Sequence, residues 1–400
     1  EFINQSATVV IDEEILYQPF SGGLNSPQVQ WVNWDLDLDN ELFVLDEDSC
    51  IRLYDYVHSS SIQESYFQII DTNFGDLCYL NWFQIIDIDL DGDLEFITQE
   101  FNSSNQIQVY EINDSELIFA GTVTQSNGSY VLSDSVMVPT FADIDLDGDY
   151  DFFTGNIIGT VTMYENIGLS DLGLPIFDLI SFEWQDIWIV GPSVNARHGA
   201  SAIQFVDIDL DGDLDLCWGD YFQASLYIIF NMGSAYSPIM DTNNIVTEFP
   251  YNNSIYTTGR NMPSFNDIDL DGDLDLFISV LGGDGGIQLA DNFLFYENDD
   301  GVFTLGSTNF MNSIDLNSNI VPEMVDIDLD GDLDLFIGQD YNTSTFPIRG
   351  RIFFFRNIGD ETFQLEDDEF LGVDIGNSLY PVFADIDSDN DLDLFIGNYN

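Results

Sequence analysis

One acidic nonapeptide recurs seven times along the chain, and it constrains the fold more than any other feature. Its fullest form, DIDLDGDLD, stands at Asp267–Asp275 and again at Asp326–Asp334. Copies begin at Asp35, Asp87, Asp143, Asp207, Asp267, Asp326 and Asp385, at intervals of 52, 56, 64, 60, 59 and 59 residues. A period on this scale marks a supersecondary unit that stacks or rings with its neighbours, so the unit is read before any single element.

Each copy carries the same surroundings. An apolar run leads in, often with proline four residues and an aromatic two residues ahead of the first aspartate: Pro139 and Phe141, Pro263 and Phe265, Pro381 and Phe383. A β-type run follows the acidic loop, as in LDLFIS at Leu274–Ser279 and LDLFIG at Leu333–Gly338 and Leu392–Gly397. A third run comes after a polar turn (TVTMYENIG at Thr160–Gly168, FLFYEN at Phe293–Asn298, RIFFFRNIG at Arg351–Gly359), then a short fourth such as GVFTL at Gly301–Leu305. Aromatic and β-branched residues in short runs between turn residues specify strands, and no stretch carries a 3.6-residue period. Four strands per unit predict an all-β, seven-bladed β-propeller of four-stranded blades, one domain over residues 1–400. The last copy reaches only its second strand, and EFINQSATVVIDEEI at Glu1–Ile15 resembles the late part of a unit. Residues 1–20 are therefore predicted to supply the closing outer strand of the last blade, within the chain rather than from a neighbour.

The charge narrows the partners. There are 73 acidic residues against six arginines and no lysine, for a net charge of −67, while 45% of the chain is hydrophobic. That apolar content supports a packed core and argues against a disordered polyanion. Nucleic acid and anionic membrane surfaces need a basic footprint this chain lacks. No apolar run reaches the roughly 18 residues of a membrane-spanning helix. The chain opens at Glu1 without a leader, as a mature or excised product would. Cys50, Cys78 and Cys217 leave two readings open: one Cys50–Cys78 bridge, or three buried thiols.

Carboxylates at this density repel one another unless a cation joins them. Positions 1, 3 and 5 of the loop point alternate side chains at one centre, glycine at position 6 permits the turn around it, and position 9 returns a carboxylate. Hard oxygen donors in such number suit Ca²⁺, which takes six to eight of them; Mg²⁺ prefers fewer protein ligands and more water. An EF-hand loop opens with the same D-x-D-x-D-G. It requires flanking helices and an acid at position 12, where copies two to seven have Thr98, Thr154, Trp218, Ile278, Ile337 and Ile396. Asn40 and Asn390 replace the glycine in two copies.

These loops, the leading Pro-x-Phe strand and the Y-E-N-x-G strand resemble the FG-GAP/VCBS repeat family, which includes the calcium-binding propeller of integrin α subunits and many secreted proteins. The resemblance implies ligation from positions 1, 3, 5 and 9. Those residues are Asp87, Asp89, Asp91 and Glu95; Asp143, Asp145, Asp147 and Asp151; Asp207, Asp209, Asp211 and Asp215; Asp267, Asp269, Asp271 and Asp275; Asp326, Asp328, Asp330 and Asp334; and Asp385, Asp387, Asp389 and Asp393. In the first copy Asp35, Asp37 and Asp39 are present but position 9 is Phe43, so that site is expected to be weak. The cofactor expectation is up to seven Ca²⁺ ions. The strongly anionic surplus fits a calcium- or salt-rich exterior, hence an extracellular or cell-surface location.

The face opposite the loops collects Arg197, Arg260, Arg349 and Arg351, with Arg52 expected beside them. Arginine suits bidentate recognition of carboxylate or sulfate, although pairing with nearby acids would equally explain these residues. Phe182, Trp184, Trp188 and His198 fall in the longest interval, where aromatics either stack on a partner or pack between blades. No nucleophile–histidine–acid or zinc pattern includes His58 or His198. The expected function is non-enzymatic binding of a glycan or extracellular protein in adhesion. Self-assembly into a filament or surface layer is the alternative, and polysaccharide-active catalysis a third.

Overall fold

Each acidic loop joins two antiparallel strands, and the second strand begins at the loop's last carboxylate: Glu95–Gln99, Asp151–Gly155, Asp215–Asp220, Asp275–Ser279, Asp334–Gly338 and Asp393–Tyr399. The computed structural model describes residues 7–399 except 12–13, 17–18, 21–22, 38, 47–49, 59–64, 100–104, 114, 135–136, 190–198, 252, 258, 281–291, 317–318, 342–347, 361 and 373–374. The described chain is all-β, with two single-turn 3₁₀ segments at Phe74–Asp76 and Trp184–Asp186. No helix is long and apolar enough to cross a membrane. Several units form four-stranded antiparallel sheets in consecutive order, the architecture of propeller blades. The fifth is typical: Met262–Asn266, Asp275–Ser279, Phe293–Asp299 and Val302–Ser307.

Sheets are numbered here by the repeat they contain. Second strands inside the stack are buried on both faces; the five residues of Asp151–Gly155, Asp275–Ser279 and Asp334–Gly338 are all buried, whereas Asp393–Tyr399 of the seventh sheet is largely exposed. Shared cores join sheets one and two, two and three, three and four, and four and five. The fifth then packs back on the first, through Phe277, Phe293 and Phe295 against Leu42, Tyr54 and Phe67. Sheets six and seven share a separate core around Phe336, Phe354 and Leu379. The contacts thus depart from the seven-membered ring expected from the repeats: the first sheet's partner is the fifth.

The amino-terminal segment also departs from expectation. Thr8–Ile11 pairs in parallel with Thr362–Asp367, the outer strand of sheet six, and Glu14–Leu16 pairs with Thr8–Ile11. Val9 and Leu16 bury their side chains with Leu335, Ile337 and Phe363 of that sheet. The segment therefore extends the sixth unit, whose outer strand offers a complete edge. The seventh, among the described residues, is the pair Asn377–Ala384 and Asp393–Tyr399. Cys50 and Cys78 are disulfide-bonded, with Cα atoms 4.3 Å apart, and Cys217 is a buried free thiol.

Candidate metal centres

The second to seventh acidic loops share one hydrogen-bond scheme that holds their carboxylates inward. The first aspartate accepts from the backbone N–H groups of positions 5 and 6. In the third loop Asp143 takes them from Asp147 at 3.1 Å and Gly148 at 3.2 Å. In the fifth, Asp267 takes them from Asp271 at 3.1 Å and Gly272 at 3.0 Å. Position 9 is buried in the second to sixth loops and ties the loop to the sheet. Asp275 accepts from Ile268 N–H in the loop at 3.1 Å and from Asn298 N–H on the third strand at 2.8 Å. Asp215 does the same with Ile208 and Asn231, and Asp334 with Ile327 and Asn357. The Asn of the Y-E-N-x-G signature thus anchors the ninth carboxylate, a role invisible in the strand pattern alone.

The backbone turns through two left-handed residues. Gly272 at position 6 has φ 105° and needs no side chain there; Leu270 at position 4 has φ 61°. Leucine is strained in this region by roughly 1–2 kcal/mol. Leu90, Leu146, Leu210 and Leu329 repeat the conformation, all more than 45% exposed. The sequence reading assigned the turn to glycine and missed these leucines.

Carboxylate oxygens converge in at least five loops. In the groups Asp87/Asp89/Glu95, Asp143/Asp145/Asp147, Asp207/Asp209/Asp215 and Asp267/Asp269/Asp271, and in the first loop, one donor atom from each residue lies within 4.8 Å of the others. Oxygens on opposite sides of a Ca²⁺ ion stand about 5 Å apart, twice the metal–oxygen distance, so the carboxylates of each group are close enough for one ion to bridge. Glu95 Oε1 supports the fit, being buried with no hydrogen-bond partner among the described residues. Burial raises the proton affinity of the ninth position: Asp151, Asp215 and Asp275 are pushed up to about 7 and Glu95 to about 8. A dication favours the ionised forms and reverses that cost.

The first loop is framed differently from its sequence reading. Its second strand begins at Glu41, which accepts from Trp34 N–H at 2.5 Å, as the ninth residue does elsewhere from position 2. Leu36, at φ 64°, is the left-handed fourth residue. Positions 1, 3, 5, 7 and 9 are therefore Asn33, Asp35, Asp37, Asp39 and Glu41, and Phe43 is a core residue, 0% exposed. Asp35, Asp37 and Glu41 converge as a candidate metal group, while Asp39 pairs with His58 Nε2 at 3.0 Å. Glu41 and Asn33 were missed because aspartate recurs every second residue, so a two-residue slip keeps the acids in phase.

The third strand, where present, sets one further residue across from the loop's last carboxylate. Glu111 lies opposite Glu95 in the ladder, and burial together with Asp89, Asp91 and Asp93 raises its proton affinity. Glu165 and Glu297 occupy the equivalent step in the third and fifth units. The sixth unit has Arg356 there, whose guanidinium donates to Asp328, the loop's third residue, and to Glu366.

Two of the arginines named for a binding face are paired locally. Arg349 pairs with Glu369, and Arg351 Nη1 donates to Asp368 at 3.1 Å. Arg260 is half-buried with φ 53°, its N–H on Tyr221 O. Arg52 lies in the third strand of the first sheet. Arg197 and His198 lie outside the described residues. Trp184 is buried against Phe153 and Phe205, whereas Phe182 and Trp188 are exposed. Away from the acidic loops, a groove of about 690 Å³ runs between the second and third units, lined by Gln125, Tyr130, Asn156, Thr162 and Phe182 among others.

No curated protein sequence matches the chain. Among solved structures, an Agrocybe aegerita lectin that recognises non-reducing terminal N-acetylglucosamine is 15% identical, over 98% of this chain and 88% of that one, with a TM-score of 0.33. The Photorhabdus luminescens Tc holotoxin pore is 14% identical over 78% of this chain, which spans 13% of the toxin chain, with a TM-score of 0.33. A family model matches residues 326–396, the sixth loop through the second strand of the seventh unit, and that segment is an FG-GAP-like repeat.

Proposed function

We propose that the chain is an extracellular, calcium-stabilised binding module of the propeller type, without catalytic activity. The repeated cage carries this reading: one hydrogen-bonded scaffold, built in loop after loop, holds carboxylates at a separation suited to Ca²⁺. Asp, Glu and, in the first loop, Asn33 would hold the ions. Bound calcium would neutralise the clustered carboxylates, and because ions bind the folded state they stabilise it by mass action. Each ion would fasten the inner hairpin of a sheet, leaving the other end of the strands to carry recognition.

The ligand-binding part of the reading rests on the groove between the second and third units, where exposed Tyr130 and Phe182 flank Gln125, Asn156 and Thr162. Aromatic faces beside amides and hydroxyls suit a neutral or acidic glycan. A glycan screen with calcium-loaded protein, read for both binding and product, tests it. Binding without product, lost in Tyr130→Ala and Phe182→Ala, is expected. Product formation would overturn the non-catalytic reading, and binding unchanged in both variants would overturn the groove.

A further inference from the structure

The sheet-to-sheet junctions follow one rule, and among the described residues two faces are left without its partner. The residue ten places after each loop's first position packs against the residue two places before the next sheet's loop. Phe153 meets Phe205 with ring centroids 4.5 Å apart, Phe277 meets Trp31 at 4.7 Å, and Phe336 meets Phe383 at 4.6 Å. The donors of this contact in the first six sheets, Phe43, Ile97, Phe153, Cys217, Phe277 and Phe336, are all 0% exposed. The seventh, Phe395, is 45% exposed, and Tyr380 and Val382 on the same face are each 50% exposed.

The complementary surface is equally bare on the sixth sheet. Met324, the residue that should receive such a contact, is 46% exposed. Pro322 is exposed, whereas its counterparts Pro139, Pro263 and Pro381 are buried. The fifth sheet would be its natural neighbour, but Phe277 is already seated on Trp31 of the first. Sheets six and seven pack on each other through their remaining faces, so the two bare faces cannot meet within one molecule.

We propose that they meet between molecules: the Tyr380/Val382/Phe395 face of one copy docks on the Pro322/Met324 face of a second. The occupant is a second copy because this chain exposes both halves of a junction it builds internally elsewhere. The contact is heterologous, so each added copy offers a fresh face and assembly proceeds head to tail. This inference is independent of the calcium reading.

Sedimentation or light scattering across a concentration series tests it. Masses rising through multiples of the 45.2 kDa chain are expected. Met324→Glu and Phe395→Glu alter exposed positions, so each should keep the parent's circular dichroism and melting profile while losing assembly. Mixed together they should stop at a dimer, since each retains one intact face. A monomer at every concentration would overturn the proposal, as would assembly that persists in both variants. A monomer whose Met324 becomes protected from oxidation would identify the cause as a seven-sheet ring closed within one chain.

Discussion

The fifth and sixth loops are the same nine residues, DIDLDGDLD, yet they face opposite charges. Both bury their last carboxylate, Asp275 at 1% exposure and Asp334 at 2%, and both hang it from an isoleucine and an asparagine N–H. Across the ladder the fifth has Glu297 and the sixth Arg356. Burial is the main cause raising the proton affinity of both carboxylates, but nearby Arg356 counters it at Asp334. An identical cage therefore faces a glutamate in one setting and an arginine, bonded to Asp328, in the other. The difference is made by a residue more than 20 positions downstream.

Breaking the shared part should have the largest effect and the same effect in both loops. Asp275→Ala strands two buried backbone N–H groups and Asp334→Ala two part-buried ones, at about 1–3 kcal/mol per group. Chemical denaturation in chelator should show losses of about 2–6 kcal/mol for each variant. A loss confined to one of them would mean that the shared scaffold is not what holds these loops.

Exchanging the unshared part should affect ion binding more than folding. Arg356→Glu should tighten calcium at the sixth loop at least about tenfold, and Glu297→Arg should weaken the fifth by a similar factor, roughly 1.4 kcal/mol each way. Calcium titration calorimetry reads both. Unchanged affinities would remove Arg356 from any part in cation balance.

A smaller effect follows from pH. In chelator, Asp151, Asp215 and Asp275 at about 7 and Glu95 at about 8 bind protons more tightly folded than unfolded. The folded state then holds more protons than the unfolded state between roughly pH 4 and 8, so stability should fall as pH rises through that window. Calcium requires the ionised carboxylates, so its stabilising increment should grow over the same window. Melting at pH 5 and pH 8 with and without the ion checks both signs. A chelated protein more stable at pH 8 would contradict the burial of these groups.

The repeat was legible because its strands, turn and acids are local, and six of the seven loop frames follow from spacing alone. The first frame was not. Asn33 and Glu41 are identified by where the strand starts and by the Trp34–Glu41 hydrogen bond, while the acids themselves look the same two residues out of step. Strand order beyond one unit was also hidden. Nothing in Thr8–Ile11 specifies the edge of Thr362–Asp367 over another, and the fifth sheet's return to the first depends on how aromatic faces fit. The bridge between Cys50 and Cys78 depends on a spatial separation that sequence spacing does not give. Arg349 and Arg351 were visible as cations, but their pairing with Glu369 and Asp368 is a property of the folded sheet.

Native mass spectrometry of a calcium titration, run beside thermal melts in calcium and in chelator, tests the central claim most directly. Several ions per chain are predicted to bind, with the sixth loop the last to fill. Their removal should lower the melting temperature, each site at a hundredfold excess over its Kd contributing about 2.7 kcal/mol. A chain that binds no calcium and melts identically in chelator would contradict the account.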